Sequence, residues 1–231
     1  MCKYGMISFL TITYQRKHLL EEAIYSFLNQ KNLNESDEMV IINDNKNVEY
    51  ILNHPNIKII NLKERFASIE SKYHYGYTEC KNDYIYRLED DDLLASNALN
   101  LSKETIKENP GYEIYRSSTH YYFVDNKFKG ISGNYNTGVI YTQKYLKKLV
   151  CNDMTYLEDM RTFGNYKAKV FTSFKNPTMI YRWGMNTYHI SGMGNRTNKE
   201  IYDWAEKLCI KENGIINLNP HFDHDYYKMI E

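Results

Sequence analysis

Four consecutive carboxylates are the densest chemical signal in the chain: Glu89, Asp90, Asp91 and Asp92. They follow the alternating stretch Tyr84-Ile85-Tyr86, which is typical of the end of a buried strand. Adjacent negative charges raise one another's pKa unless a cation lies among them, and a hard divalent cation with oxygen ligands fits that need. The alternative is a solvated acidic turn before a helix near Ser96, since a helix dipole favours acidic residues at its start.

Polar residues that can form hydrogen bonds or stack on a ring also follow two other apolar runs. Thr13 and Tyr14 come after residues 6–12, and they can donate a hydrogen bond and stack on a nucleobase. Asp44 follows residues 39–42, and a carboxylate readily accepts the imide N–H of a uracil-like base. The alternatives are plain turn residues with a partly buried ring, and an Asx-turn at Asp44.

Predicted strands and helices alternate along the first half of the chain, and they hold these polar residues in place. Short apolar runs rich in strand formers occupy residues 6–12, 39–42 and 57–60. Helical spacing occupies residues 19–28. We expect further helices at residues 67–80 and 96–108, the second of them with Ser96 as its N-cap. We also expect a short helix between the second and third strands. This order predicts a mostly parallel sheet with right-handed crossovers, in which ligands bind outside the carboxyl ends of the strands.

The second half of the chain has a mixed pattern. Strands are expected at residues 112–123, 138–141 and 178–183, and short helices at 142–150 and 156–163. The tail from residue 213 to 231 lacks clear periodicity, so we expect a solvated or loosely docked terminus. Its His221-x-x-His224 spacing leaves metal binding as an alternative.

Composition limits the functional class. The chain has 231 residues, enough for one domain, and 29 basic and 29 acidic residues give no net charge. This balance argues against a broad nucleic-acid-binding face. Four scattered cysteines suggest a reducing compartment, and no run approaches the roughly 20 apolar residues of a membrane span. We therefore expect a soluble, cytoplasmic protein.

Four segments, in order, resemble the motifs of family 2 glycosyltransferases: residues 7–30, 40–45, 89–99 and 156–161. The first resembles an opening strand, a Thr-Tyr-Asn-Arg turn that is here Thr13-Tyr14-Gln15-Arg16, and a helix ending in Asn-Gln. The others resemble a strand ending in Asp-Asp, the Asp-x-Asp motif with its following helix, and a Glu-Asp motif. The specificity lies in the ordered set, since each motif alone is weak.

The resemblance implies a GT-A-like α/β fold: a Rossmann-like, mostly parallel central sheet with helices on both faces and a mixed acceptor-side second half. It implies one domain over residues 1–231, divided into a nucleotide-sugar-binding part (about 1–110), an acceptor-side and catalytic-base part (about 111–195), and a C-terminal helix and tail (196–231). The implied activity is metal-dependent, inverting transfer from a UDP- or GDP-sugar to the hydroxyl of a carbohydrate-type acceptor.

The resemblance, together with a late segment rich in aromatic, Arg, His and Gly residues, indicates a set of donor-binding residues: Thr13, Tyr14, Arg16, Asp44, Lys72, Glu89, Asp90, Arg182 and Trp183. Asp44 alone would hold the base, because Asn43 replaces the first aspartate of the family. Glu89 would contact the ribose, and Lys72 the diphosphate, with a solvated helix face as the alternative for Lys72. Arg182 and Trp183 belong to a late segment that could close over phosphate and sugar or base.

The implied cofactor is Mn²⁺ or Mg²⁺, held by Asp91 and the diphosphate oxygens. His189 is a candidate further ligand, with a structural hydrogen-bonding role as the alternative. Asp159, preceded by Glu158, is the implied general base that accepts the proton of the acceptor hydroxyl during in-line attack. Without the companion motifs, Glu158-Asp159 would be interpreted as the exposed first turn of a helix.

Two other functional classes remain open. One is a non-catalytic module of the nucleotide-sugar fold that binds a glycan or a protein. The other is a metal-dependent nucleotidyltransferase, which would release pyrophosphate from a nucleoside triphosphate. The chain has no glycine-rich phosphate loop after its first strand, which disfavours the second class.

Overall fold

The computed structural model describes residues 5–133, 138–155, 168–173, 176–184 and 196–231. The strands in these ranges are β1 (Ile7–Thr13), β2 (Glu38–Asn43), β3 (Val48–Ile51), β4 (Ile57–Asn61), β5 (Tyr84–Arg87), β6 (Leu93–Leu94), β7 (Ile114–Ser117), β8 (Thr119–Val124), β9 (Lys127–Gly133), β10 (Val139–Thr142), β11 (Val170–Ser173), β12 (Met179–Trp183) and β13 (Gly214–Asn217). The helices are α1 (Lys17–Leu28), α2 (Ile69–Glu79), α3 (Ala98–Glu108), α4 (Gln143–Leu146), α5 (Asn198–Leu208) and α6 (Tyr226–Ile230).

A seven-stranded sheet in the order β11-β7-β10-β5-β1-β2-β4 forms the centre of the described structure. Strands β5, β1, β2 and β4 are parallel neighbours, whereas β10 is antiparallel to both β5 and β7. Parallel strands need covering on both faces, and every residue of β1 and β2 is buried accordingly. The mostly parallel sheet with a mixed second half agrees with the sequence prediction.

Helices cover both faces of this sheet. Alternate residues of β1 point to opposite sides, so that Phe9 packs in one apolar cluster with Phe27 of α1 and Leu99 of α3. Leu10 packs in the other cluster with Tyr73 of α2. The carboxyl ends of β5, β1 and β2 thereby lie side by side at one edge, between two helical layers.

A second sheet, in the order β6-β12-β8-β9, adjoins this edge because β6 directly follows the acidic run. Its β12 is parallel to β8 and antiparallel to β6. Leu93, Phe123 and Ile180 from its strands form a small buried cluster with Tyr226 of α6. The acidic run is therefore held between the central sheet and the second sheet.

Three local predictions are wrong. The connection between β2 and β4 contains strand β3 rather than a short helix, because β3 pairs with the distant β13. Helix α3 begins at Ala98 with Asn97 at its N-cap position, so Ser96 does not cap it. Of the helix expected at 142–150, the structure retains only α4, and the helix expected at 156–163 lies entirely outside the described residues.

The C-terminal tail is docked rather than loose. It supplies β13 to a two-stranded sheet, and Tyr226 is fully buried. His221 contacts the carboxylate of Asp223 at 3.1 Å, and His224 contacts the amide of Asn126 at 2.8 Å. Among the described residues, no helix is long and apolar enough to cross a membrane.

Candidate functional site

The acidic run lies where the sequence predicts it, in the turn between β5 and β6. Because β5 pairs in parallel with β1, this turn is adjacent to the Thr13–Arg16 turn that follows β1. The backbone N–H of Leu88 donates to the carbonyl of Leu10 at 3.0 Å, which extends the pairing beyond β5. Two of the four predicted motifs thus meet at one edge of the sheet.

Arg16 joins the two motifs. Its Nη1 donates to Asp90 Oδ1 at 2.8 Å and to Asp91 Oδ2 at 2.9 Å. Burial raises the pKa of Asp90 to about 6, against the opposing effect of Arg16. A cation is therefore placed among the adjacent carboxylates, as their repulsion requires, but in this structure it is a guanidinium.

The outer members of the run have separate partners. Glu89 accepts hydrogen bonds from Arg87 Nε at 2.8 Å and from the Tyr73 hydroxyl at 2.5 Å. Asp92 is buried, and its Oδ1 accepts the backbone N–H of Arg182 at 3.1 Å. The run is thus a structured turn whose side chains are oriented by hydrogen-bond donors of the protein. The solvated-turn alternative is wrong.

The carboxylates of Asp90 and Asp91 could also hold a divalent metal. Oxygens of Asp90 and Asp91 converge on a single nitrogen of Arg16, and two carboxylates completed by diphosphate oxygens are a usual set for Mg²⁺ or Mn²⁺. Within the described ranges, no three His, Cys, Asp or Glu side chains form a ready metal-binding group. The residues fit a metal whose shell is completed by the diphosphate, and such a metal would compete with Arg16 for these oxygens.

Asp44 and Lys72 form a buried ion pair beside the same edge. Lys72 Nζ donates to Asp44 Oδ1 and to the carbonyl of Thr13, the latter at 2.7 Å, while the N–H of Phe66 donates to Asp44 Oδ2 at 3.0 Å. Asp44 is 2% exposed and Lys72 is 4% exposed. Burial lowers the pKa of Lys72, and the Asp44 carboxylate opposes this effect. Lys72 therefore does not lie on a solvated helix face, and both oxygens of Asp44 already accept a hydrogen bond.

Tyr14 lies in a cation–aromatic stack that the sequence did not predict. The Arg65 guanidinium lies 3.7 Å from the centroid of the Tyr14 ring and 4.0 Å from that of Tyr202, on α5. The Tyr14 hydroxyl donates to Glu206, also on α5, at 2.8 Å. Burial, together with this hydrogen bond, raises the pKa of Tyr14 to about 12. Helix α5 lies in the stretch where a C-terminal helix is expected, and the Thr197…Glu200 capping box marks its start.

Arg182 and Trp183 have different environments. Arg182 is 1% exposed, and its guanidinium contacts Glu22 of α1, the Tyr226 hydroxyl and the carbonyl of Asp91. Trp183 is 36% exposed. Arg182 thus holds the acidic turn through the backbone carbonyl of Asp91. The sequence predicted instead that Arg182 would face phosphate. Glu158, Asp159 and His189 lie outside the described residues.

Similar solved structures show the same fold at low sequence identity. S. aureus TarS has a TM-score of 0.60 and 12% identity, with coverage of 77% of this chain and 37% of that chain. TarS 1–349 in complex with UDP-GlcNAc has a TM-score of 0.62 and 11% identity, with coverage of 88% and 65%. A mannosyltransferase, PcManGT from Pyrobaculum calidifontis in complex with GDP-Man and Mn²⁺, has a TM-score of 0.60 and 12% identity, with coverage of 90% and 65%.

The chain spans less than two thirds of the length of each of these proteins. Their likeness confirms the predicted GT-A fold. No curated protein matches the sequence of this chain. The model of Glycosyl transferase family 2 matches residues 8–163, more than half of the chain. The prediction of the family is confirmed: this chain belongs to glycosyl transferase family 2.

Proposed function

We propose that the chain transfers a sugar from a nucleotide-diphosphate sugar to a hydroxyl group of a carbohydrate-type acceptor. The main support for this proposal is that the Thr13–Arg16 turn contacts the acidic turn at the carboxyl ends of β1 and β5. Ligands bind at this edge in open α/β sheets. Family membership supports the reaction class, and the donors UDP-GlcNAc and GDP-Man in the similar structures support a nucleotide-sugar ligand.

The proposed chemistry is a single displacement with inversion. The acceptor oxygen attacks the anomeric carbon, the bond from this carbon to the diphosphate breaks, and the electron pair leaves with the nucleotide. Asp159 takes the proton of the acceptor hydroxyl. Asp90 and Asp91 would hold Mn²⁺ or Mg²⁺, which supplies positive charge for the departing diphosphate when it is bound. The Mn²⁺ complex of the similar mannosyltransferase supports this cofactor.

Donor binding by the whole chain is the first test. UDP- and GDP-sugars with Mn²⁺ are expected to raise the melting temperature, because a ligand that binds only the folded state stabilises it. Release of nucleoside diphosphate on addition of glycan acceptors should accompany this shift. Binding without turnover would favour the non-catalytic module, and pyrophosphate release from a nucleoside triphosphate and a sugar phosphate would favour the nucleotidyltransferase.

The Asp91→Asn variant tests the metal. Loss of this charge is expected to lower kcat about a hundredfold or more, because several kcal/mol of charge stabilisation in the transition state is removed. Folding should survive, since the ion pair of Asp91 with Arg16 is partly exposed and Arg16 keeps its contact with Asp90. The measurement is turnover across a Mn²⁺ titration, with the melting temperature recorded on the same preparation.

An EDTA-treated wild-type sample is the control for this variant. Its activity should fall and return when Mn²⁺ is added. If EDTA has no effect while Arg16→Gln abolishes turnover, then Arg16 supplies the charge and the proposed metal dependence is wrong. Wild-type-like turnover of Asp91→Asn with Mn²⁺ would reject Asp91 as a ligand.

A further inference from the structure

A buried ion pair connects three distant segments of the chain. Arg182 on β12 donates through Nη1 to Glu22 Oε2 on α1 and, at 3.1 Å, to the Tyr226 hydroxyl on α6. Arg182 is 1% exposed, Glu22 is 2% exposed and Tyr226 is fully buried. A buried charge pair fixes its geometry strongly, because an ion that loses its partner there has no water to replace it.

The same arginine holds the acidic turn on its other side. Arg182 Nε donates to the backbone carbonyl of Asp91 at 2.6 Å, and its own backbone N–H donates to Asp92 Oδ1 at 3.1 Å. The guanidinium is planar and its donors have fixed relative directions. The orientation that Glu22 and Tyr226 impose on Nη1 therefore also sets where Nε meets the Asp91 carbonyl.

The C-terminal segment reinforces this arrangement from outside the matched family region, residues 8–163. The second oxygen of Glu22 accepts the backbone N–H of Asp223 at 3.1 Å, and neighbouring Glu21 accepts that of Asn219 at 2.6 Å. The Tyr226 hydroxyl also lies 3.1 Å from Asn126 Oδ1. Glu21 and Glu22 thus each accept a backbone N–H from the last part of the chain, in addition to their ion pairs with Lys17 and Arg182.

We propose that Glu22 and Tyr226 are positioning residues for the acidic turn, acting through Arg182. They orient the guanidinium, which fixes the Asp91 backbone and thereby the direction of the Asp91 carboxylate toward the nucleotide diphosphate. Binding groups must be held to about half an ångström to act, and this requires a supporting layer of locked side chains. The inference rests on the proposed function, because it assigns the C-terminal segment to the support of the donor site.

Neighbouring tyrosines on α6 provide a matched pair for the test. Tyr227 donates its hydroxyl to the carbonyl of Leu94 at 3.1 Å, and it has no hydrogen bond to Arg182 among the described contacts. Tyr226→Phe and Tyr227→Phe each remove one hydroxyl from the same helix and retain the ring. A general effect on docking of the tail would act on both variants alike.

The experiment uses the full chain and calorimetric titration with UDP and with GDP, each with and without Mn²⁺, followed by turnover of the donor that binds. Both variants should melt within a few degrees of each other. Tyr226→Phe is expected to weaken Mn²⁺-dependent nucleotide binding and to lower kcat by about threefold to tenfold, the range for loss of the hydrogen bond to Arg182. Tyr227→Phe should match the wild type in both measurements.

A second variant, Arg182→Lys, keeps the charge but loses the simultaneous Nε and Nη1 contacts, so it should show a larger loss of the same kind. Equal nucleotide affinity and turnover in the two tyrosine variants would overturn the positioning role. Absence of nucleotide binding by the wild-type chain, with and without Mn²⁺, would instead overturn the proposed function, and the inference with it. The two failures are thus distinguishable.

Discussion

Replacement of Asp159 by asparagine is expected to lower kcat by about two to four orders of magnitude, the usual contribution of a general base. The amide cannot accept the proton of the acceptor hydroxyl as the new bond forms. Nucleotide affinity should stay close to that of the wild type, because the base acts on the acceptor side of the sugar. The measurements are a product assay and a calorimetric nucleotide titration on one preparation.

Glu158→Gln is the matched control, since it makes the same chemical change one residue earlier. It should retain most of the activity if Asp159 alone is the base. If Asp159→Asn transfers sugar at a near wild-type rate, or if it loses nucleotide binding as well, the Glu158-Asp159 pair is structural. His189 would then be the next candidate for the base, and His189→Gln the next variant to assay.

Lys72→Met is expected to lower the free energy of unfolding by about 3–5 kcal/mol, because it leaves the buried Asp44 carboxylate without its counter-charge. For a chain of this size the melting temperature should fall by roughly 6–20 °C. Nucleotide affinity should fall as well, since Lys72 also holds the Thr13 carbonyl at the end of β1. Thermal and urea unfolding of the purified variant measure the effect.

The double variant Asp44→Asn/Lys72→Met should recover much of this loss, because neither group then carries an unpaired buried charge. Lys58→Met is the surface control. Lys58 pairs with Glu79 but its side chain is 45% exposed, so its loss should cost at most about 1 kcal/mol. If Lys72→Met unfolds like the surface control, or if the double variant is no more stable than the single one, the ion pair does not stabilise the fold as we expect.

Elements with a strong local period could be predicted from the sequence alone. Strands β1, β2, β4 and β5 and helix α1 were predictable because apolar side chains recur along each of them at the spacing of the element. The acidic turn was predictable for a related reason: four adjacent carboxylates after a strand favour a nearby cation, which in this structure is the Arg16 guanidinium. The ordered motifs then identified the family, which the family match confirms.

The partners of the polar residues become apparent only in the folded chain. Pairing of Asp44 with Lys72, of Glu22 with Arg182, and of Arg16 with the acidic turn joins segments that are 28 to 160 residues apart. The spacing of apolar residues along the chain does not predict such pairs, because their energy depends on burial and on the distance between charges after folding. Glu22 on the largely buried helix α1 was a visible signal, since a buried charged residue needs a partner, but the sequence could not say that a C-terminal tyrosine and a late arginine would supply it.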